Sequence, residues 1–178
     1  MKILGISGSL RKASLNTQLL HAARELAPQG MDIEIFAIND IPLFNEDVQA
    51  QGFPASTQSF RERIAAADAL LFATPEYNYS MPGVLKNAID WASRPPIQPF
   101  AGKKAAIIGA SMGALGTARA QYHLRQTGVF LDIHFMNRPE LMVGAAHEKF
   151  DAEGRLIHEP TREQLRKFLA AFATFAAS

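Results

Sequence analysis

Short aliphatic runs alternate along this chain with segments whose apolar residues recur at helical spacing. Few folds satisfy such a pattern. A run apolar on both faces belongs inside a parallel sheet, and each crossover between parallel strands needs a covering helix. Lys2 to Ser7 is the first run and ends at Gly8. Leu15, Leu19, Ala22, Ala23 and Leu26 then follow helical spacing, and Pro28 and Gly30 stop them. Ile33, Ile35 and Ala37 predict a second strand, followed by a long connection from Asn39 to Pro54. Phe60, Ile64 and Ala67 mark a second helix, with Arg61, Glu62 and Arg63 as its solvated face. Ala69 to Thr74 predicts a third strand, stopped by Pro75. Pro82 suits the first turn of a third helix whose inner face is Leu85, Ala88, Ile89, Trp91 and Ala92.

The second half continues the alternation. A proline-rich loop from Arg94 to Phe100 precedes a fourth strand, Lys103 to Ala110. The spacing then predicts a fourth helix over Leu115 to Gln126 and a fifth strand over Val129 to Phe135. Arg138 to Pro160 reads as irregular. Thr161 with Gln164 has the form of a capping box, opening a last helix through Leu165, Phe168, Leu169, Phe172 and Phe175.

Five strands alternating with five helices predict an α/β fold, a three-layer sandwich with helices on both faces of a parallel sheet. Right-handed crossovers and the small size favour the flavodoxin-like strand order 2-1-3-4-5. The 178 residues fit one domain spanning residues 1–178. In such a sheet a ligand lies beyond the carboxyl ends of the strands. The loops after the first, third and fourth strands are therefore where chemistry is expected.

Composition narrows the possibilities. Lys plus Arg number 18 against 17 Asp plus Glu, a net charge of +1, so nothing draws the chain to nucleic acid or an anionic membrane. There is no cysteine, which removes disulfides, thiolate nucleophiles and iron–sulfur clusters, and fits a reducing cytoplasm. The apolar stretch Ala105 to Ala118 is broken by three glycines and is too short to span a bilayer. The five histidines form no H-x-x-x-H pair, so no metal site is expected.

The loop after the first strand, Gly8 to Thr17, carries hydroxyls at Ser9, Ser14 and Thr17, an amide at Asn16 and a guanidinium at Arg11. It runs from a strand end into a helix start, where free N–H groups and the positive end of the helix dipole attract an anion. A terminal phosphate suits this loop better than a bare helix cap does. Neither G-x-G-x-x-G nor G-x-x-x-x-G-K-[ST] is present, which argues against a Rossmann-held dinucleotide or an NTPase. The second loop, Pro75 to Gly83, offers Tyr77, Asn78 and Tyr79 to a planar ring. The third, Gly109 to Gly116, lets backbone approach a ligand closely. It also spells G-x-S-x-G, which leaves open a serine hydrolase using Ser111 with Asp132, Asp151, His147 and His158 as possible partners.

Together these loops resemble one family. The carrying residues are Gly8-Ser9-Leu10-Arg11-Lys12-Ala13-Ser14-Leu15-Asn16, Pro75-Glu76-Tyr77-Asn78, and Pro82-Gly83-Val84-Leu85-Lys86-Asn87-Ala88-Ile89-Asp90-Trp91. Ser111-Met112-Gly113 and Arg119-Ala120-Gln121 fit as well. The chain resembles the NADPH-dependent FMN reductases, the group that includes bacterial quinone and chromate reductases. It departs where the family often has a glycine pair, since only Gly116 precedes Thr117. The resemblance implies that Ser9, Arg11, Ser14, Asn16 and Thr17 hold an FMN phosphate, with Leu15 and Gln18 in the same stretch. It implies that Pro75, Glu76, Tyr77 and Asn78 line the isoalloxazine ring through backbone groups, and that Ser111 and Gly113 close the other side. NADPH or NADH would be the co-substrate, and a quinone, free flavin or similar small molecule the electron acceptor. The exchange would be ping-pong, with no catalytic side chain. The resemblance also implies a homodimer or homotetramer. A flavodoxin-like electron carrier or sensor shares the fold, but carriers of that kind are strongly acidic, unlike this chain.

Overall fold

The computed structural model describes residues 1–178. The elements in chain order are β1 (Lys2–Ser7), α1 (Leu15–Glu25), β2 (Asp32–Phe36), α2 (Glu46–Gln49), α3 (Ala55–Ala66), β3 (Ala69–Ala73) and α4 (Gly83–Ala92). The second half supplies β4 (Lys104–Ala110), α5 (Ala118–Phe130), β5 (His134–Phe135), β6 (Leu141–Val143), a short 3₁₀ turn (Ala146–Glu148) and α6 (Glu159–Ala177). All strand pairs are parallel, in the order β2-β1-β3-β4-β5, with β6 also on β4. The expected order is therefore present, with six strands in place of five.

Alternation along the buried strands divides the core between the two faces of the sheet. Ile3, Leu71, Ala106 and Ile108 face α1 and α6, where they meet Leu19, Leu20, Leu165, Phe168 and Phe172. Leu4, Ile6, Leu70, Phe72 and Ile107 face the other layer, where they meet Phe60, Ile64, Leu85, Ile89 and Leu124. Each fully buried Phe or Leu contributes about 1.5–3 kcal/mol relative to exposure. The two helical layers thus hold the sheet from both sides and leave the carboxyl ends of β1, β3 and β4 free to carry loops.

Four expectations are corrected. The fifth strand is not Val129 to Phe135, because α5 continues to Phe130 and only His134–Phe135 pair, with Lys104 and Ala105. Val129 and Phe130 look like strand residues, yet they end the helix on its solvent side, 81% and 89% exposed. Residues 138–160 are not wholly irregular, since Leu141–Val143 pair with Ile108, Gly109 and Ala110. The β4 edge is covered in two pieces, β5 along its first half and β6 along its second. Arg61 is not solvated. It is buried, donates to the carbonyls of Ala92 at 2.8 Å, Arg94 at 2.7 Å and Ile97 at 3.0 Å, and lies over the Phe53 ring. Thr161 does not cap α6. That helix begins at Glu159 with Pro160 in its first turn, and the buried Thr161 hydroxyl pairs with His158 Nδ1 at 2.8 Å.

Candidate functional site

The loop after β1 is drawn against the loop after β3. The Gly8 N–H donates to the Ala73 carbonyl at 2.8 Å. A Cβ on Gly8 would sit 3.1 Å from Leu85 Cδ2 and 3.3 Å from Pro75 Cδ, so a side chain there would push the two loops apart. Ser14 caps α1, its hydroxyl accepting from the Thr17 N–H at 3.2 Å. The backbone N–H groups of residues 12–16 have no acceptor within the chain. They crown the positive end of α1, a ready anion site. Ser9 and Ser14 are buried here, and the Arg11 guanidinium is exposed and unpaired.

Asn16 does something the sequence did not suggest. Its amide donates to the Ala110 carbonyl and accepts from the Ala110 N–H, both at 2.9 Å. That pair locks the start of α1 to the end of β4. Only the backbone of Asn16 remains open to a ligand.

The loop after β3 is a two-residue turn. Tyr77 and Ser80 exchange backbone bonds of 2.9 and 3.0 Å, and the residues between them, Asn78 and Tyr79, have φ of 50° and 67°. Left-handed backbone at both central positions is the geometry of a type I′ turn. Glu76 is anchored beside it. Its carboxylate accepts from Arg119 Nε at 2.7 Å and from the N–H groups of Arg119 and Ala120 at 3.0 and 3.2 Å. The Arg119 guanidinium lies 3.6 Å from the centroid of the Tyr79 ring.

The loop after β4 rests on the segment following β6. The Ser111 N–H donates to the Val143 carbonyl at 3.0 Å, and the Ala146 N–H donates to the Ser111 carbonyl at 3.0 Å. The Ser111 hydroxyl donates to the Gly116 carbonyl at 2.6 Å. No histidine reaches it, since His147 lies by Glu148 and His158 pairs with Thr161. The hydrolase reading therefore has no base and falls. The loop is tight with a single glycine before Thr117: Leu115, where the second glycine would stand, is exposed, while Thr117 is fully buried and fills the space where Gly109 lacks a Cβ.

The three loops enclose a cleft of about 440 Å³ beyond the carboxyl edge of the sheet. Ser9, Arg11, Ser14, Leu15 and Asn16 line it from the first loop, Pro75, Glu76 and Tyr77 from the second, and Ser111 and Gly113 from the third. Three expected residues lie outside that wall. Thr17 is turned to Ser7, their hydroxyls 2.8 Å apart, and borders a separate hollow against β2. Gln18 packs on Gly154, and Asn78 is an exposed turn residue. Met112, Ala114, Leu115 and Gly116, from the loop expected to approach a ligand, and Arg119 of α5 also line the cleft, although no binding role is assigned to them from the sequence. Beyond its place in the family resemblance, Arg119 carries a physical signal: a cation in the first turn of a helix opposes the dipole and calls for an acidic partner.

The comparisons with known proteins agree with this architecture. A Pseudomonas aeruginosa protein named NAD(P)H-dependent FMN reductase is 64% identical over 171 residues, 96% of this chain and 92% of that protein. An Arabidopsis thaliana NADPH:quinone oxidoreductase is 48% identical over 181 residues, 98% of this chain and 91% of that one. Among solved structures, FerB, a flavoenzyme NAD(P)H:(acceptor) oxidoreductase from Paracoccus denitrificans, superposes with a TM-score of 0.90 at 38% identity, covering 99% of this chain and 97% of its own. The family model for NADPH-dependent FMN reductase matches residues 1–148, which span all three loops of the cleft, and the chain belongs to that family.

Proposed function

We propose that the cleft holds FMN within one domain spanning residues 1–178, and that the chain transfers electrons from NADPH or NADH to a quinone, free flavin or similar small acceptor. The observation that carries this reading is the run of unpartnered N–H groups from Lys12 to Asn16 at the start of α1, beside the unpaired Arg11 guanidinium. A terminal phosphate has the charge and the oxygens to use that many donors at once. The rest of the cleft fits the remainder of the group. Tyr77 and Met112 give apolar walls, and the N–H groups of Glu76, Asn78 and Gly113 have no acceptor within the chain and suit the polar edge of a planar ring.

Bound FMN would supply the hydride chemistry, exchanging two electrons with the nicotinamide and then with the acceptor in ping-pong fashion. The chain's own residues bind and orient. Arg11, Ser9 and Ser14 would hold the phosphate with the backbone of residues 12–16. Thr17 would act behind them through its contact with Ser7, and Asn16 through its lock on Ala110. The backbone of residues 75–78 and 111–113 would flank the ring, and its N–H groups would stabilise negative charge on the pyrimidine edge. No side chain acts as acid or base. The relatives named quinone oxidoreductases support a quinone as acceptor.

The cysteine-free sequence and the nicotinamide co-substrate support a cytoplasmic setting, and no helix is long and apolar enough to cross a membrane. The exposed apolar end of α5, Val129 and Phe130, supports association into homodimers or homotetramers. Light scattering on the purified protein checks this, and a monomer at all concentrations would overturn it.

An anaerobic visible spectrum tests the function. Protein loaded with FMN and desalted is expected to keep its flavin band and to lose it within seconds of adding NADPH. A retained band that NADPH leaves unchanged would favour the electron-carrier reading, and no retained flavin would overturn FMN binding.

A further inference from the structure

The second loop has few ties to the sheet it springs from. Apart from its two internal bonds and the Thr74 hydroxyl that donates to the Pro75 carbonyl at 2.9 Å, the polar contacts of residues 75–80 run to α5. Ser80 Oγ lies 2.9 Å from His123 Nδ1, and Tyr79 is covered by Arg119. The strongest tie is Glu76, 43 residues earlier in sequence than its partner Arg119. Its side chain is 8% exposed and accepts three hydrogen bonds, two of them from first-turn N–H groups of α5. Thr117, the residue at the head of α5, offers no side-chain bond to that turn. A carboxylate from a different loop therefore caps this helix. Charge accounts for the choice: the helix start is positive, and Arg119 adds a cation there that needs compensation. Arg119, so held, covers a tyrosine whose backbone adopts a conformation that side chains with a Cβ rarely take.

We propose that Glu76 is a positioning residue, whose carboxylate clamps the 75–80 turn to α5 through Arg119 and so fixes the backbone N–H groups that meet the flavin. This rests on the FMN reading above. A simple helix cap would hold α5 in place and leave the turn to find its own geometry. A clamp makes the turn's geometry depend on the carboxylate.

The test uses the full chain loaded with FMN and compares wild type with Glu76→Ala and Glu76→Gln. The readouts are the FMN dissociation constant, the visible circular dichroism of the bound flavin, and kcat and KM for NADPH. Misplacement by a fraction of an ångström to an ångström costs about tenfold to a hundredfold in rate. Glu76→Ala is therefore expected to weaken FMN about tenfold, to change the flavin dichroism and to lower kcat/KM by a similar factor. Glu76→Gln, whose amide oxygen can still accept from α5, is expected to restore most of each. A lower melting temperature with flavin affinity, dichroism and kcat/KM as in wild type would overturn the clamp and leave Glu76 a helix cap. If Glu76→Ala does not fold, Arg119→Met carries the test. It keeps the carboxylate on the two N–H groups but removes the Tyr79 stack; the same loosened flavin is expected, and unchanged flavin readouts would overturn the proposal. Wild type that holds no FMN overturns the functional reading and the clamp with it. Wild type that holds FMN alongside unaltered variants overturns the clamp alone.

Discussion

Arg11 and Asn16 stand five residues apart in one loop and are expected to fail in opposite ways. Arg11 is exposed and bonds nothing in the protein, so removing it costs the fold little. Arg11→Ala is expected to lose one charge-assisted contact to the phosphate, about 1.5–3 kcal/mol of FMN affinity, with an unchanged melting temperature. Fluorescence titration checks it, and unaltered affinity would sink the phosphate assignment. Asn16 is buried and satisfies both backbone groups of Ala110. Asn16→Ala leaves a buried N–H and C=O unpaired, a loss of about 2–4 kcal/mol in stability. Thermal unfolding of the FMN-free protein checks that, and an unchanged Tm would mean that water or a side-chain shift replaces the amide. Asn16 reads as a ligand in the sequence because an amide in a phosphate loop is equally suited to either task. Only the position of Ala110 distinguishes them, and that position belongs to a strand 94 residues away.

Among the elements, α5 runs to Phe130, past the Gln126 end that its sequence predicts. Val129 and Phe130 are β-branched and aromatic, and propensity alone assigns them to a strand. The end of α5 packs on β5 there: Gly128 lies against the Phe135 ring, and a Cβ at that position would collide with Phe135 Cε2. Helix propensity predicts that Gly128→Ala stabilises the chain by about 1 kcal/mol. Packing predicts the reverse, a loss of about 1–3 kcal/mol, because the ring must be displaced from its place near Phe72. Chemical denaturation decides the sign, and a more stable variant would mean that the ring swings aside freely. Arg61 makes the same point in α3. It reads as solvated beside Glu62 and Arg63, yet it gathers carbonyls from the end of α4 and the loop beyond. No local pattern reveals such a partner.

At the scale of the molecule, acid should loosen the layer made by α1 and α6. His21 on α1 is held below its ordinary 6.5 by burial first and then by the Arg24 cation, whose guanidinium lies 3.2 Å from His21 Nδ1. Glu159 at the start of α6 is held below its ordinary 4.5, first by its hydrogen bond from Arg166. Arg162 joins the two helices through Glu25 at 2.7 Å. Both folded values lie below the unfolded ones, so the unfolded chain binds more protons and stability rises with pH. The His21 contribution is complete above its unfolded value and declines as pH falls below about 6.5. The Glu159 contribution follows as pH falls below about 4.5. A pH series of melting temperatures should decline in those two windows. His21→Gln should flatten the first window and Glu159→Gln the second. A melting temperature that rises between pH 7 and 5 would contradict the assignment.

What the sequence determined by itself follows from local periodicity and loop chemistry. Buried aliphatic runs and helical spacing are properties of neighbouring residues, so β1 to β4, α1 and the parallel order could be read directly. The loop after β1 was legible as a candidate anion site for the same reason, since its hydroxyls and the helix start lie within ten residues. Tertiary structure decided whatever depends on partners distant in sequence. It spent the Asn16 amide on Ala110, brought Glu76 and Arg119 together, buried Arg61, and split the last edge of the sheet between β5 and β6. Each of these satisfies a buried charge or an unpaired backbone group, and the partner for such a group is chosen by proximity in the folded chain rather than by spacing along it.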